Sequence, residues 1–172
     1  MSILYPDLYL KSLYTVPLLE LQKNGKQALI FDLDNTITEW NSQVVSEEII
    51  QWFADAKALG FSLCILSNNS EKRIRGVAEQ LSIPYVCKGK KPRRKGFYKA
   101  IRLMEASAET AVMIGDQIFT DIWGGNRMGL YTILVEPMHG KEYWGTKISR
   151  RFEKIVLKKI KHKQKIRPDE LA

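Results

Sequence analysis

From residue 27 onward the chain alternates short apolar runs with segments of helical periodicity. "QALIFDL" (27–33) reads as a strand, because its apolar run over 28–31 is too short for a helix. "SEEIIQWFADAKAL" (46–59) reads as a helix. Ser46 stands at its N-cap, Glu47 and Glu48 in its first turn and Gly60 just past its end, and Ile49, Phe53, Ala56 and Leu59 share one face. "FSLCIL" is a second strand, "EKRIRGVAEQL" after Ser70 a second helix, and a short strand follows around 85–87. A third helix is expected to open at Pro92, a residue favoured at the first helical position. "AVMIG" is another strand, "FTDIWGGNRM" a short helix ended by Gly129, and "YTILV" a last strand. The alternation predicts an α/β domain with a central parallel sheet and helices on both faces.

Functional groups in such a sheet gather beyond the carboxyl ends of its strands. The polar residues found there are Asp32 and Asp34, then Ser67, Asn68 and Asn69, then Asp116, with Asp121 five positions on. Lys91 precedes a helix that enters the same end. Four acids near one point repel: two unit charges about 4 Å apart interact by roughly 4 kcal/mol at an effective dielectric of 20. A hard cation such as Mg²⁺ offsets this, and such a site suits a phosphorylated substrate. Ser67 offers a neutral donor to phosphate oxygens and Lys91 a charged one, with Lys90 the other choice for the lysine. Asp32 is then free to act as a nucleophile, with Asp34 as a general acid that later activates water. Any one of these acids could instead be a cap or turn residue, Asp121 most readily because it lies in a helix's first turn.

"DLDNT", "SNN", the "KP" at a helix start and "GDQIFTD" resemble, in order, the four motifs of the haloacid dehalogenase superfamily. The resemblance covers roughly residues 25–140. It implies a Rossmann-like domain in which Asp32 attacks phosphorus and forms an aspartyl-phosphate. Asp34 would protonate the leaving oxygen and then deprotonate water. Mg²⁺ would sit between Asp32, the Asp34 backbone carbonyl and Asp116, with Asp121 supporting it through water. Ser67 and Lys91 would hold the phosphoryl group, Asn68 would line the site, and Thr36 would brace the loop. Only 35 positions separate Asp32 from Ser67 and 24 separate Ser67 from Lys91, so no cap domain is expected in either interval. An open site suits a bulky or membrane-tethered phosphate ester better than a small metabolite. "SNN", "GDQ…TD" and the basic tail after "GTKISRRFE" look like the YqeG family, which is similar to phosphatidylglycerophosphate phosphatases of the mitochondrial type. That likeness makes a lipid phosphate the expected substrate, by analogy.

The net charge of +8 belongs mostly to one end. Residues 1–146 carry 17 Lys/Arg against 16 Asp/Glu, whereas residues 147–167 carry 10 against 1. Three segments are therefore expected: an apolar helical segment over 1–24 packed on or beside the core, the domain over 25–146, and a basic amphipathic helix and tail over 147–172. In the last, Ile148, Phe152, Ile155, Val156 and Ile160 form a helical stripe among basic residues. It can lie on an anionic membrane or pack on the domain. "KGKKPRRK", from Lys88 to Lys95, has six basic residues and no acid, and could grip an anionic lipid surface or RNA phosphate. Aromatic interleaving is thin, so nucleic acid is not favoured. No apolar run reaches membrane-spanning length, and the first twenty residues do not look like a secretory signal. Cys64 and Cys87 lack metal-ligand spacing and suit buried free thiols. A cytoplasmic protein, peripheral on the inner membrane face, is the expectation. Its rivals are a phosphatase of soluble nucleotide or sugar phosphates, and a binding module for RNA, ribosome or membrane with a vestigial site.

Overall fold

The computed structural model describes residues 3–138. The basic segment 147–172 lies outside them. In chain order the elements are β1 (Leu8–Leu10), a 3₁₀ turn (Leu13–Thr15), α1 (Leu18–Lys23), β2 (Ala28–Phe31) and α2 (Glu47–Ala58). There follow β3 (Ser62–Leu66), α3 (Glu71–Leu81), β4 (Tyr85–Val86) and α4 (Arg94–Leu103). The chain ends its described part with β5 (Ala111–Gly115), a π-helical turn (Ile118–Ile122), α5 (Trp123–Met128) and β6 (Tyr131–Val135). α2 begins as expected, with the Ser46 hydroxyl accepting from the Ile49 N–H at 3.3 Å. Gly60 beyond it takes φ +87°, and Gly129 after α5 takes φ +76°, both left-handed and open to glycine at no steric cost.

The six strands form one sheet in the order β1-β6-β5-β2-β3-β4. Every pairing is parallel, with Leu29 opposite Leu63 on one side and Val112 on the other. Side chains alternate across a strand, so β2 feeds two cores. Leu29 and Phe31 pack with Ile49, Phe53, Ile74 and Val77 from α2 and α3. Ala28 and Ile30 pack on the opposite face with Phe97 and Ala100 from α4. The strand order reverses between β2 and β5, which is where ligands enter open sheets of this kind. Between Asp32 and Ser67 the chain has room only for a turn, α2 and β3, and between Ser67 and Lys91 only for α3 and β4. Among the described residues there is no cap domain.

Two expectations need correction. The apolar segment over 1–24 is not simply helical: residues 8–10 form β1, which pairs with β6 so that Leu8 faces Ile133 and Leu10 faces Val135. Without β1, β6 would present an unpaired edge. Asp7 fixes the pairing, its N–H donating to the Thr132 carbonyl at 2.9 Å and its carboxylate accepting from the Thr132 N–H at 2.7 Å. Asn126 adds donations to the carbonyls of Ile3 and Tyr5, at 2.8 and 2.9 Å. The segment is thus part of the sheet that begins again at β2. Secondly, the third helix starts at Arg94, two residues after Pro92, with a cis Lys91–Pro92 peptide in the turn before it.

Candidate active site

β2 is fully buried through Phe31, and its pairing with β5 runs one residue further, the Asp32 N–H donating to the Ile114 carbonyl at 2.9 Å. That bond carries a carboxylate to the point where the strand order reverses. The backbone then leaves the strand: the N–H groups of Ile37 and Thr38 donate back to the Leu33 carbonyl at 3.0 and 3.2 Å, and Asn35 adopts φ +60°. A two-residue spacing in a continuing strand would put Asp32 and Asp34 on one face. The turn separates them.

Carboxylate oxygens of Asp32, Asp116 and Asp121 all lie within 4.8 Å of one another. Asp34, expected as a fourth acid at the same point, is outside this group; its carboxylate meets Arg73 Nη2 at 2.5 Å and the Asn69 side-chain amide. Lys91 stands between two of the three acids, 2.5 Å from Asp32 and 2.6 Å from Asp121, and is only 6% exposed. Asp121 is 0% exposed. The π-helical turn aims it, since the N–H groups of Asp121 and Ile122 both bond the Gln117 carbonyl and the Gln117 N–H returns to Asp121 Oδ2 at 3.1 Å. Gly115 makes room for it, because a Cβ there would collide with the Asp121 carboxylate.

Burial raises the Asp32 carboxyl to about 6, against the attraction of Lys91, and the charge of Asp121 pushes the same way as burial. Asp116 is raised well above the ordinary range, by burial first and then by Asp32 and Asp121. Burial opposes the charge on Lys91, but Asp121 and Asp32 outweigh it and hold the ammonium protonated. Three acids face one lysine, and ionising all of them would leave two charges uncompensated in a buried cluster, so Asp32 and Asp116 hold their protons more tightly. Asp116 Oδ1 is also buried without a hydrogen-bond partner among the described residues. An orphaned oxygen in an over-acidic, all-oxygen site fits a hard divalent cation such as Mg²⁺.

Ser67 is buried at the end of β3, its hydroxyl accepting from the Asn69 N–H at 3.2 Å. Asn68 braces Lys91: its Oδ1 accepts from the Lys91 N–H at 2.6 Å and its Nδ2 donates to the Lys91 carbonyl at 3.2 Å. The Thr36 hydroxyl is buried in the loop without a partner among the described residues. Asn69, expected at this end of the sheet but given no role in the chemistry, holds Asp34 together with Arg73, which was not expected in the site. A signal for Arg73 existed: it is a cation in the first turn of α3, where the helix dipole favours an acid.

The model of the haloacid dehalogenase-like hydrolases matches residues 40–129, a span that contains Ser67, Lys91, Asp116 and Asp121 and begins just after Asp34. The chain is 38% identical over 165 residues to a Bacillus subtilis protein described as "Probable phosphatase YqeG", covering 96% of each. It is 24% identical over 164 residues to phosphatidylglycerophosphate phosphatase 1 of Arabidopsis thaliana, covering 90% of this chain and 47% of that one. An uncharacterised Listeria monocytogenes protein has a similar fold, with a TM-score of 0.56 at 19% identity over 78% of this chain and 99% of that one. A capless parallel sheet with acids gathered at its switch point defines a hydrolase of the haloacid dehalogenase type. The chain belongs to that family. It is a phosphatase.

Proposed function

We propose that the protein is a Mg²⁺-dependent phosphomonoester hydrolase that removes the terminal phosphate of phosphatidylglycerophosphate at the cytoplasmic face of a membrane. The observation that carries the chemistry is the buried Asp32–Lys91 pair with Asp116 and Asp121 beside it. An Asp32 carboxylate oxygen attacks phosphorus, the P–O bond to the alcohol breaks, and the leaving oxygen takes a proton from Asp34. Water then attacks the aspartyl-phosphate, giving a proton to Asp34 as the P–O bond to Asp32 breaks and inorganic phosphate leaves. Lys91 and Ser67 receive the phosphoryl oxygens, so the phosphate takes the place of part of the lysine's present carboxylate contacts. Arg73 and Asn69 hold Asp34 apart from the acid cluster, so proton exchange requires those contacts to loosen as substrate enters. Asp32, Asp116 and the Asp34 backbone carbonyl, with Asp121 behind them, would hold Mg²⁺, which would supply positive charge to offset the acids and the phosphoryl oxygens.

The lipid substrate is supported by likeness along most of this chain to the Arabidopsis enzyme and by the uncapped site. The test is phosphate release with Mg²⁺ from phosphatidylglycerophosphate in mixed micelles, beside a panel of soluble nucleotide and sugar phosphates. Release from the lipid is expected, with Asp32→Asn slower by at least about a thousandfold. Release from soluble esters alone would sink the lipid assignment, and full activity in Asp32→Asn would remove the nucleophile.

A further inference from the structure

Lys90 and Lys91 are neighbours with opposite fates. Lys91 turns inward to the acids, while Lys90 is exposed and lines a separate cleft of about 310 Å³. Five cations surround that cleft, Lys88, Lys90, Arg93, Lys95 and Lys99, and no acid lines it. None of the five has a side-chain hydrogen bond or ion pair among the described residues. Lys88 acts on the carboxylate of Glu71, which is already engaged by Arg75 at 2.5 Å and by the Tyr85 hydroxyl at 3.1 Å.

The cleft is built by the backbone. Lys88 and Lys90 both take left-handed conformations, at φ 48° and 53°. The loop is pinned to the end of β3, with the Lys88 N–H on the Asn69 carbonyl at 2.8 Å and the Gly89 N–H on the Ser67 carbonyl at 2.9 Å. Gly96, in the first turn of α4, rests on Gly89 so closely that a Cβ on it would stand 3.0 Å from the Gly89 Cα. That glycine contact draws α4 onto the loop and brings Lys95 and Lys99 beside Lys88 and Lys90. Lys95 and Lys99 are four apart on one helix, a spacing at which like charges repel. Solvated lysines normally diverge; here five positive charges converge on one concavity.

We propose that this cleft is a second phosphate-binding site, taking a phosphodiester or second phosphomonoester group distinct from the phosphate being hydrolysed. The charge exceeds what one carboxylate would neutralise, and Arg93 adds the planar fork that suits phosphate oxygens. The volume admits a headgroup-sized ligand. The shared loop, Lys90 outside and Lys91 inside, couples occupancy of the cleft to the position of the lysine at the acids. That the phosphate belongs to the substrate rests on the hydrolase reading above; that the cleft binds phosphate does not.

The test uses the full chain carrying Asp32→Asn, with and without the triple change Lys90→Gln, Lys95→Gln and Lys99→Gln. One arm titrates glycerophosphoglycerol, a soluble phosphodiester; the other measures retention on phosphatidylcholine vesicles with and without phosphatidylglycerol. Binding at least tenfold weaker in the triple variant is expected, and weaker still at high salt for both proteins. Loss on the soluble diester assigns the cleft to a free or substrate phosphate, and loss on vesicles alone assigns it to a membrane headgroup. Equal binding by the two proteins in both arms overturns the proposal, as does single-stranded RNA bound tighter than either probe through the same lysines. In the active enzyme the triple change should raise KM for a two-phosphate ester at least fivefold more than KM for p-nitrophenyl phosphate. An inactive wild type whose binding still needs the three lysines would sink the hydrolysis reading and keep the cleft. A lipid phosphatase indifferent to them in every arm would do the reverse.

Discussion

Asp32 and Asp34 are two positions apart and meet different charges, Lys91 in one case and Arg73 in the other. The carboxyl of Asp32 is held at about 6 by burial, so the folded chain binds its proton more tightly than the unfolded chain does. The contribution of Asp32 to stability in chelator therefore falls as pH rises from about 4 to about 6, a loss that an asparagine does not share. Urea midpoints should show Asp32→Asn gaining on wild type across that window, by up to about 3 kcal/mol. A pH-independent difference between the two would contradict this. Gly115→Ala drives a Cβ into the Asp121 carboxylate and should lower kcat by roughly a hundredfold through displacement of that acid. Far-UV circular dichroism should stay unchanged, and a variant with full kcat would show that Asp121 can shift freely. At this scale the sequence is half legible. Asp32, Lys91, Asp116 and Asp121 stand out as polar residues at element ends, whereas the Asp34–Arg73 pair joins positions 39 apart, and the misplaced cation in the first turn of α3 does not say which acid it meets.

Elements whose periodicity is strong coincide with their expected bounds: α3 over Glu71–Leu81, β5 over Ala111–Gly115 and β6 over Tyr131–Val135. In each, the burial pattern that tertiary packing demands is written in the local run of apolar residues. The N-terminal segment fails that test because its Leu and Tyr residues follow no single period, and its strand is three residues long. Its partner lies at the other end of the described chain, so only the assembled sheet reveals it. Asp7 is the clamp, bonded to both the N–H and the hydroxyl of Thr132. Asp7→Ala should destabilise the fold by about 1–3 kcal/mol, since the buried Thr132 N–H loses its acceptor while the hydroxyl keeps only Asn126. Amide exchange should quicken in residues 8–10 before it does in β2; unchanged exchange there would show that backbone pairing alone secures the strand.

For the molecule as a whole, the acid cluster is a point of stored repulsion at the centre of an otherwise apolar sheet. A cation that relieves it should stabilise the native state alone, raising the thermal midpoint with concentration. At a hundred times its dissociation constant Mg²⁺ would contribute about 2.7 kcal/mol. Calorimetry with Mg²⁺ and with EDTA should show the shift in wild type and a smaller one in Asp116→Asn, whose orphaned oxygen is no longer charged. Identical shifts in the two proteins would place the metal elsewhere. The pairing of β1 with β6 also fixes an order of events during synthesis. β1 is made before the other strands described and must wait for β6, so it is among the last of them to find its place. Until then β5 can close on β2, and the catalytic acids can come together in a four-stranded intermediate of β5, β2, β3 and β4 in which residues 8–10 are still unpaired. Contacts of such long sequence separation form slowly, and a nascent chain halted before Tyr131 should remain open to proteases around residues 8–10 while its centre is already protected.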